Sequence, residues 1–264
     1  MIIVGEKLNS SIPKIFELMK EKNTEELRKI AIDQQNAGAN FLDINTAIFR
    51  EQETEMLEYV LSIVLENTEC GIMLDSPSPA VIEKAIGLIS GREVIINSIT
   101  LQDRINELLP VVKSYNSGVV CLPIDKDGIP KTAEKRVENS LKLVKLLQEA
   151  GIAKDKIYID VLAEALAVEN ENAKTTIDSI TALRKAQPDI HIICGVSNVS
   201  FGLPKRSNIN AAFLNTAIYA GLDSGIVDIT NEQIQSTIFI AEMIAGKDEF
   251  CMEYLGYFRG QKNG

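Results

Sequence analysis

The chain has 264 residues, 45% of them hydrophobic, which is enough for one sizeable core. Its 27 Lys and Arg stand against 37 Asp and Glu, a net charge of -10, and that field disfavours nucleic acid or an anionic membrane as a partner. No segment approaches the apolar length of a membrane span, the start "MIIVGEKLNSS" shows no basic leader, and Cys70, Cys121, Cys194 and Cys251 lack any paired spacing, so a reduced cytoplasmic protein is expected.

Short apolar runs alternate with longer amphipathic ones from end to end. Strands are expected at "IIVGE" near Ile2, "NFLDIN" near Phe41, "GIMLDS" near Met73 and "VIINSI" near Ile95, then at "GVVCLPI" near Val120, "KIYIDV" near Ile159, "HIICGVS" near Ile193 and "SGIVDI" near Val227. Helices fill the intervals. Asn23 to Glu26 and Thr230 to Gln233 read as capping boxes, Ser78 as an N-cap before the first-turn Pro79, and Gly221 as the stop of the helix after the seventh strand. Eight strand-helix repeats with no linker or low-complexity tract predict an α/β fold of the (β/α)8 TIM barrel type, as one domain over residues 1–264. An open doubly wound sheet is the competing arrangement, but "GEKLNSS" after the first strand is not a glycine-rich phosphate turn. The C-terminal "DEFCMEYLGYFRG" concentrates Phe250, Tyr254, Tyr257 and Phe258, and two placements are open for it: the outer face of the barrel or a subunit interface.

In such a barrel the strand ends converge on one mouth, and here those positions are polar. Glu6 and Asn9 follow strand one, Asp43 and Asn45 strand two, Asp75 strand three, Asn97 strand four, Asp160 strand six, Ser197 and Asn198 strand seven, and Asp228 strand eight; no lysine or histidine is expected among them. Asp, Asn and Ser at a strand-to-helix turn often serve only as caps. Asp43, Asp75, Asn97 and Asp160 come several residues before the helix starts, too early to cap, and are expected to face the cavity. An ionised carboxylate accepts two parallel hydrogen bonds and an amide both donates and accepts. The ring therefore suits a heterocycle with paired N–H donors, a pterin or a purine.

The stretches "IIVGEKLN", "QNAGANFLDIN", "LDSPSPAVIEKAI", "INSIT", "GIPKTAEKRV", "IYIDVL" and "GVSNVSFGLPKRSNINAAFLNTAIYAGLDSGIVD" resemble the methyltetrahydrofolate:corrinoid/iron-sulfur protein methyltransferase family, the pterin-binding methyltransferases of corrinoid-dependent systems. The likeness runs nearly end to end and implies a pterin-binding barrel with the pterin in its mouth. It implies that Asp75, Asn97 and Asp160 hold the pterin, that Asn198 hydrogen-bonds the nitrogen carrying the methyl group and is the catalytic residue, and that Arg206 is the arginine of the loop after strand seven. The residues before it, "SFGLPK", depart from the family pattern. Glu6, Asp43 and Ser197 complete the expected binding set.

The resemblance further implies methyl transfer between (methyl)tetrahydrofolate, as substrate, and the cobalt of a cobamide, in either direction. The lower-ligand motif Asp-x-His-x-x-Gly is absent, so the cobamide is expected on a partner corrinoid protein. One histidine, His191, at the start of a strand, and four scattered cysteines supply no protein-bound metal site. The resemblance also implies a homodimer. Two other readings are a dihydropteroate synthase-like enzyme, for which "NTAIFREQET" lacks the expected Ser/Thr-Arg-Pro-Gly loop, and a folate-binding subunit without chemistry of its own.

Overall fold

The inward positions of most strands change character once, from apolar to polar. Val4 is followed two residues later by Glu6, Phe41 by Asp43, Met73 by Asp75, Ile95 by Asn97, Tyr158 by Asp160 and Ile226 by Asp228. Alternate strand residues share a face, so this pattern stacks an apolar layer beneath a polar one. The computed structural model, which describes residues 1–260, has that layering. Val4, Phe41, Met73, Ile95, Val120, Tyr158 and Ile193 form one buried cluster, with Ile2, Leu122 and Ile226 packed against it. The outward residues of the same strands, among them Leu42, Ile72, Ile96, Val119 and Ile192, join a second, larger cluster beneath the helices. Residues 261–264, the end of the expected 1–264 domain, lie outside the described residues.

The strands are β1 (Ile2–Asn9), β2 (Phe41–Asn45), β3 (Gly71–Asp75), β4 (Val94–Thr100), β5 (Gly118–Leu122), β6 (Ile157–Asp160), β7 (His191–Ile193) and β8 (Ser224–Val227). They pair in parallel in the order β7-β6-β5-β4-β3-β2-β1-β8, which is chain order brought round on itself. The last seam is bridged at Gly195 and Ile226, where the Ile226 N–H donates to the Cys194 carbonyl at 3.0 Å, leaving a nearly closed barrel. A doubly wound sheet would reverse its strand order at a switch point, and this sheet does not. Between the strands run α1 (Pro13–Lys20), α2 (Thr24–Asn36), α3 (Glu53–Asn67), α4 (Pro79–Ile86), α5 (Ile105–Tyr115), α6 (Ala133–Glu149), α7 (Asn172–Ala186) and α8 (Arg206–Ala220), followed by α9 (Glu232–Ile244) and α10 (Met252–Gly260). Among the described residues no helix is long and apolar enough to cross a membrane.

Local chemistry places these elements. Asn23 Oδ1 accepts the Glu26 N–H at 3.2 Å and starts α2 as expected, and Gly221, at φ 119°, closes α8. At α9 the cap is Asn231 rather than Thr230. Asn231 Oδ1 takes the Gln233 and Ile234 N–H groups, while the Thr230 hydroxyl is drawn to Asp228 Oδ1 at 2.7 Å. Ser78 sits at the N-cap position of α4 with Pro79 beside it, but its side chain makes no capping bond. The aromatic C-terminus packs on the outer face: Tyr257 stacks on Phe239 with ring centroids 4.3 Å apart and donates to Gln235 Oε1 at 2.9 Å, tying α10 to α9. His191 lies at the end of the barrel away from the mouth, stacked on Tyr158 at 4.5 Å with Nδ1 3.0 Å from Asp223 Oδ2.

The barrel interior is filled without slack at Gly118. A Cβ there would stand 2.9 Å from Cε2 of Tyr158 and 3.2 Å from Cγ1 of Ile95, so β5 needs glycine where the Tyr158 ring crosses it. Gly118→Ala is expected to lower the unfolding free energy by about 1–3 kcal/mol, the usual scale of an overpacked core. Urea denaturation followed by circular dichroism checks this, and an unchanged midpoint would show that the interior has room to adjust.

Candidate active site

The strand ends open into a cavity of ≈ 750 Å³. All eight residues expected at the site line it: Glu6 from β1, Asp43 from β2, Asp75 from β3, Asn97 from β4, Asp160 from β6, Ser197 and Asn198 from the turn after β7, and Arg206 from the start of α8. Asn9 and Asp228 line it as well. Asn45 supports the wall, its Nδ2 donating to Asp75 Oδ2 at 2.7 Å.

Crowded carboxylates out of bulk water disfavour their own ionisation. Asp43 is 2% exposed and its Oδ1 has no hydrogen-bond partner. Burial, and then the neighbouring Asp75 and Glu6 carboxylates, raise its carboxyl well above the ordinary carboxylate range. Burial also raises Glu6, opposed by the Ser197 hydroxyl that donates to Glu6 Oε1 at 2.7 Å. Asp75 is raised by burial against the Asn45 bond and the charge of Arg104. Asp160 is pushed up to about 6 by burial, held from going higher by the Leu162 N–H at 2.7 Å and by the charge of Arg136.

Asn198 has a different setting. Residues Val196–Ser200 form a short 3-10 turn directly after β7. Its peptide N–H donates to the Gly195 carbonyl at 3.2 Å, and its side-chain amide lies over Gly195, where a Cβ would stand 3.1 Å from Nδ2. Glycine at 195 thus lets the amide rest against the strand end. Arg206 grips this turn from α8, donating from Nη2 to the Ser197 carbonyl at 2.7 Å and from Nε to the Ser200 hydroxyl at 3.0 Å.

One expectation needs correcting. A lysine does stand in the mouth: Lys7 lines the cavity with Nζ 2.6 Å from Asp228 Oδ2. Strict alternation would turn Lys7 away from the side that Glu6 faces. The β1–β2 register shifts between Gly5 and Leu8, however, so adjacent residues of β1 both reach the cavity. Phe201, Asn210 and Asn231 also line it and were not anticipated. They sit on loops and on helix faces, where strand periodicity carries no signal. Among the described residues no group of three or more His, Cys, Asp or Glu side chains is placed to hold a metal ion.

A parallel barrel whose mouth presents carboxylates, amides and a serine has the hydrogen-bonding groups to hold a flat heterocycle rich in N–H donors. The chain belongs to the pterin-binding enzyme family, whose pattern matches residues 5–228. It is 34% identical over 267 residues to the methylcorrinoid:tetrahydrofolate methyltransferase of Eubacterium limosum, an alignment covering 100% of this chain and 98% of that protein. It is 31% identical over 241 residues to the methionine synthase of Mycobacterium tuberculosis (strain ATCC 25618 / H37Rv), covering 86% of this chain but 20% of that longer protein. Among solved structures it resembles a dihydropteroate synthetase with a bound product, at TM-score 0.70 and 16% identity over 92% of this chain and 94% of the other. It also resembles the dihydropteroate synthase of Coxiella burnetii with pteroic acid, at TM-score 0.66 and 20% identity over 94% and 93%. At those identities the likeness is one of fold.

The elevated Asp160 has a measurable consequence for stability. Its carboxyl holds a proton in the folded chain up to about pH 6, whereas in the unfolded chain it loses that proton near its ordinary value. Between those values the folded state binds the extra proton, so the contribution of Asp160 to stability falls as pH rises through this window. Asp160→Asn keeps an acceptor for Leu162 N–H and removes the charge. It is expected to raise the unfolding free energy at pH 8 by roughly 2–3 kcal/mol, a gain that shrinks toward zero as pH falls from 6 to 4. Denaturant titrations of both chains across that range measure it. A difference that stays flat with pH would mean that Asp160 carries no such burden.

Proposed function

We propose that this chain is a methyltransferase that moves a methyl group between the pterin nitrogen of (methyl)tetrahydrofolate and the cobalt of a corrinoid carried by a partner protein. The observation that carries this reading is the 34% identity, over the whole chain, with a methylcorrinoid:tetrahydrofolate methyltransferase, supported by a cavity lined by every residue expected at the site. The dihydropteroate synthases share the fold at 16–20% identity, which supports no transfer of their chemistry to this chain. In this reading the chain acts as one pterin-binding unit over residues 1–264, as a cytoplasmic homodimer. Light scattering that gives a monomer at working concentration would remove the dimer.

Within the mouth, Asp75, Asn97 and Asp160 hold the polar edge of the pterin: carboxylate oxygens accept its N–H groups, and the Asn97 amide meets whichever role the facing atom requires. Glu6, Asp43, Ser197 and Arg206 complete the wall, Arg206 mainly through the turn that carries Asn198. Asn198 stands at the nitrogen that exchanges the methyl group. Tetrahydrofolate as acceptor takes the methyl from cobalt without its bonding electron pair, leaving cobalt as Co(I), and its nitrogen releases a proton to water. In the reverse direction Co(I) supplies the pair, the methyl leaves nitrogen, and water returns the proton. A tertiary amine is a poor leaving group until a hydrogen bond or a proton stabilises the charge forming on it. The Asn198 amide gives that stabilisation in the transition state more than in the ground state.

Methylcobalamin and tetrahydrofolate mixed with the purified chain should yield methyltetrahydrofolate and cob(I)alamin, read anaerobically in the visible spectrum. No spectral change with free methylcobalamin or with a methylated corrinoid protein would sink the proposal. Asn198→Ala is expected to lower the saturated single-turnover rate on the order of a hundredfold while leaving pterin affinity nearly intact. Asp75→Ala, Asn97→Ala and Asp160→Ala should show the opposite balance, each weakening pterin binding by about 1–3 kcal/mol. Calorimetry beside rapid-mixing kinetics separates the two patterns. An Asn198→Ala chain that keeps its rate and loses only affinity would make Asn198 another edge residue.

A further inference from the structure

Arg136 is 1% exposed, an unusual place for a guanidinium, and it lies outside the cavity. It projects from α6, on the outer layer of the barrel, to the segment that follows β6. Its Nε donates to the Pro130 carbonyl at 3.0 Å, and its Nη1 to the Val161 and Leu162 carbonyls at 2.8 and 2.6 Å and to the Thr176 hydroxyl at 3.3 Å. Its Nη2 donates to Glu164 Oε2 at 2.6 Å. Glu164 therefore supplies the countercharge, and Nη1 holds the two carbonyls immediately beyond Asp160.

We infer that Arg136 is a positioning residue for Asp160: it holds the peptide after β6 so that the Leu162 N–H is aimed at the Asp160 carboxylate, which is thereby fixed at the cavity wall. The inference rests on the reading of Asp160 as a pterin-edge residue. In a trans peptide the C=O and N–H point in opposite directions. A guanidinium that pulls the Val161 carbonyl outward turns the N–H of the same peptide inward, and that N–H meets Asp160 Oδ1 at 2.7 Å. Leu162 has φ 60°, the left-handed region that a residue with a Cβ rarely adopts. Carbonyls on both sides of that residue end on one guanidinium, which is what holds it there. Thr176, from α7, supports the same spot, its hydroxyl 3.3 Å from the Leu162 carbonyl. Lysine cannot replace this grip, since an ammonium on a flexible stem keeps the charge and loses the planar fork.

The test is a double-mutant cycle on the intact chain, with tetrahydrofolate binding measured by calorimetry for wild type, Arg136→Lys, Asp160→Ala and the double variant, each checked by a thermal melt. Arg136→Lys is expected to weaken binding about tenfold when Asp160 is present and less than about twofold when it is absent, because a positioning residue has nothing to position once its target is gone. An equal loss in both backgrounds, or no loss in either, overturns the inference. Should Arg136→Lys fail to fold, Thr176→Val runs the same cycle. There the expected loss is about threefold with Asp160 and none without it, and equal losses or none again overturn the inference. If Asp160→Ala binds tetrahydrofolate as wild type does, the pterin-edge reading itself fails and takes the inference with it. Loss in Asp160→Ala with additive effects overturns the positioning role alone.

Discussion

Four carboxylates, those of Glu6, Asp43, Asp75 and Asp160, face one cavity, and the cost of gathering them shapes what surrounds it. Burial raises all four. Each of three has a donor fixed by the fold: Ser197 on Glu6, Asn45 on Asp75 and the Leu162 N–H on Asp160. Asp43 has one oxygen without a partner, and Asp75 and Glu6 are the charges that raise it further. A ligand with N–H groups would relieve much of this at once, since an acceptor out of water gains most from the donor it lacks. On the proposed reading the ring binds well partly because it is a poor stability element, a trade common at functional sites.

Arginines in and behind the wall set the directions of these groups. Arg104 donates to the Ser76 carbonyl at 3.0 Å and the Ser98 hydroxyl at 3.2 Å, one residue beyond Asp75 and Asn97. Arg136 takes the two carbonyls after Asp160, and Arg206 takes the Ser197 carbonyl and the Ser200 hydroxyl on either side of Asn198. Each cation thus grips the turn next to a cavity residue and leaves the residue itself free for a ligand. The planar fork suits this work because it can hold more than one acceptor in a fixed direction. Cationic charge just outside the ring also moderates it, as Arg104 does for Asp75 and Arg136 for Asp160.

The strands and the ring were legible in the sequence because both follow period two. Val4 with Glu6, or Met73 with Asp75, records burial below and polarity above within three residues. What breaks or lacks that period could not be read. Lys7 reaches the mouth through a register shift that its neighbours do not announce. Arg136 is one of 27 basic residues, and nothing in "TAEKRVENS" marks it as the buried one, because its partners are carbonyls that every residue carries. Thr230 looked like a cap until Asp228 claimed its hydroxyl, an interaction set by the end of β8 and not by the helix. The aromatic C-terminus had two placements open on composition alone, and only three-dimensional packing reveals that Tyr257 stacks on Phe239 of α9.

On the proposed assignment of the site, the contrast between the carboxylate ring and Asn198 fits a reaction that runs both ways. At the pterin edge the same donors are presented before and after transfer, so fixed acceptors bind both states alike and contribute affinity. At the exchanging nitrogen the demand reverses: a methylated nitrogen offers a lone pair and needs a donor, whereas the demethylated one offers an N–H and needs an acceptor. A carboxylate there would serve one state and a lysine the other. The Asn198 amide carries both functions on one rotatable group. It sits on a short turn anchored by Arg206 from the start of α8, exposed and resting on the bare Cα of Gly195. The turn is held by Arg206 while, among the described residues, no side-chain partner is drawn to the amide from the wall, which leaves its oxygen and nitrogen for a charge that appears on one nitrogen and then disappears.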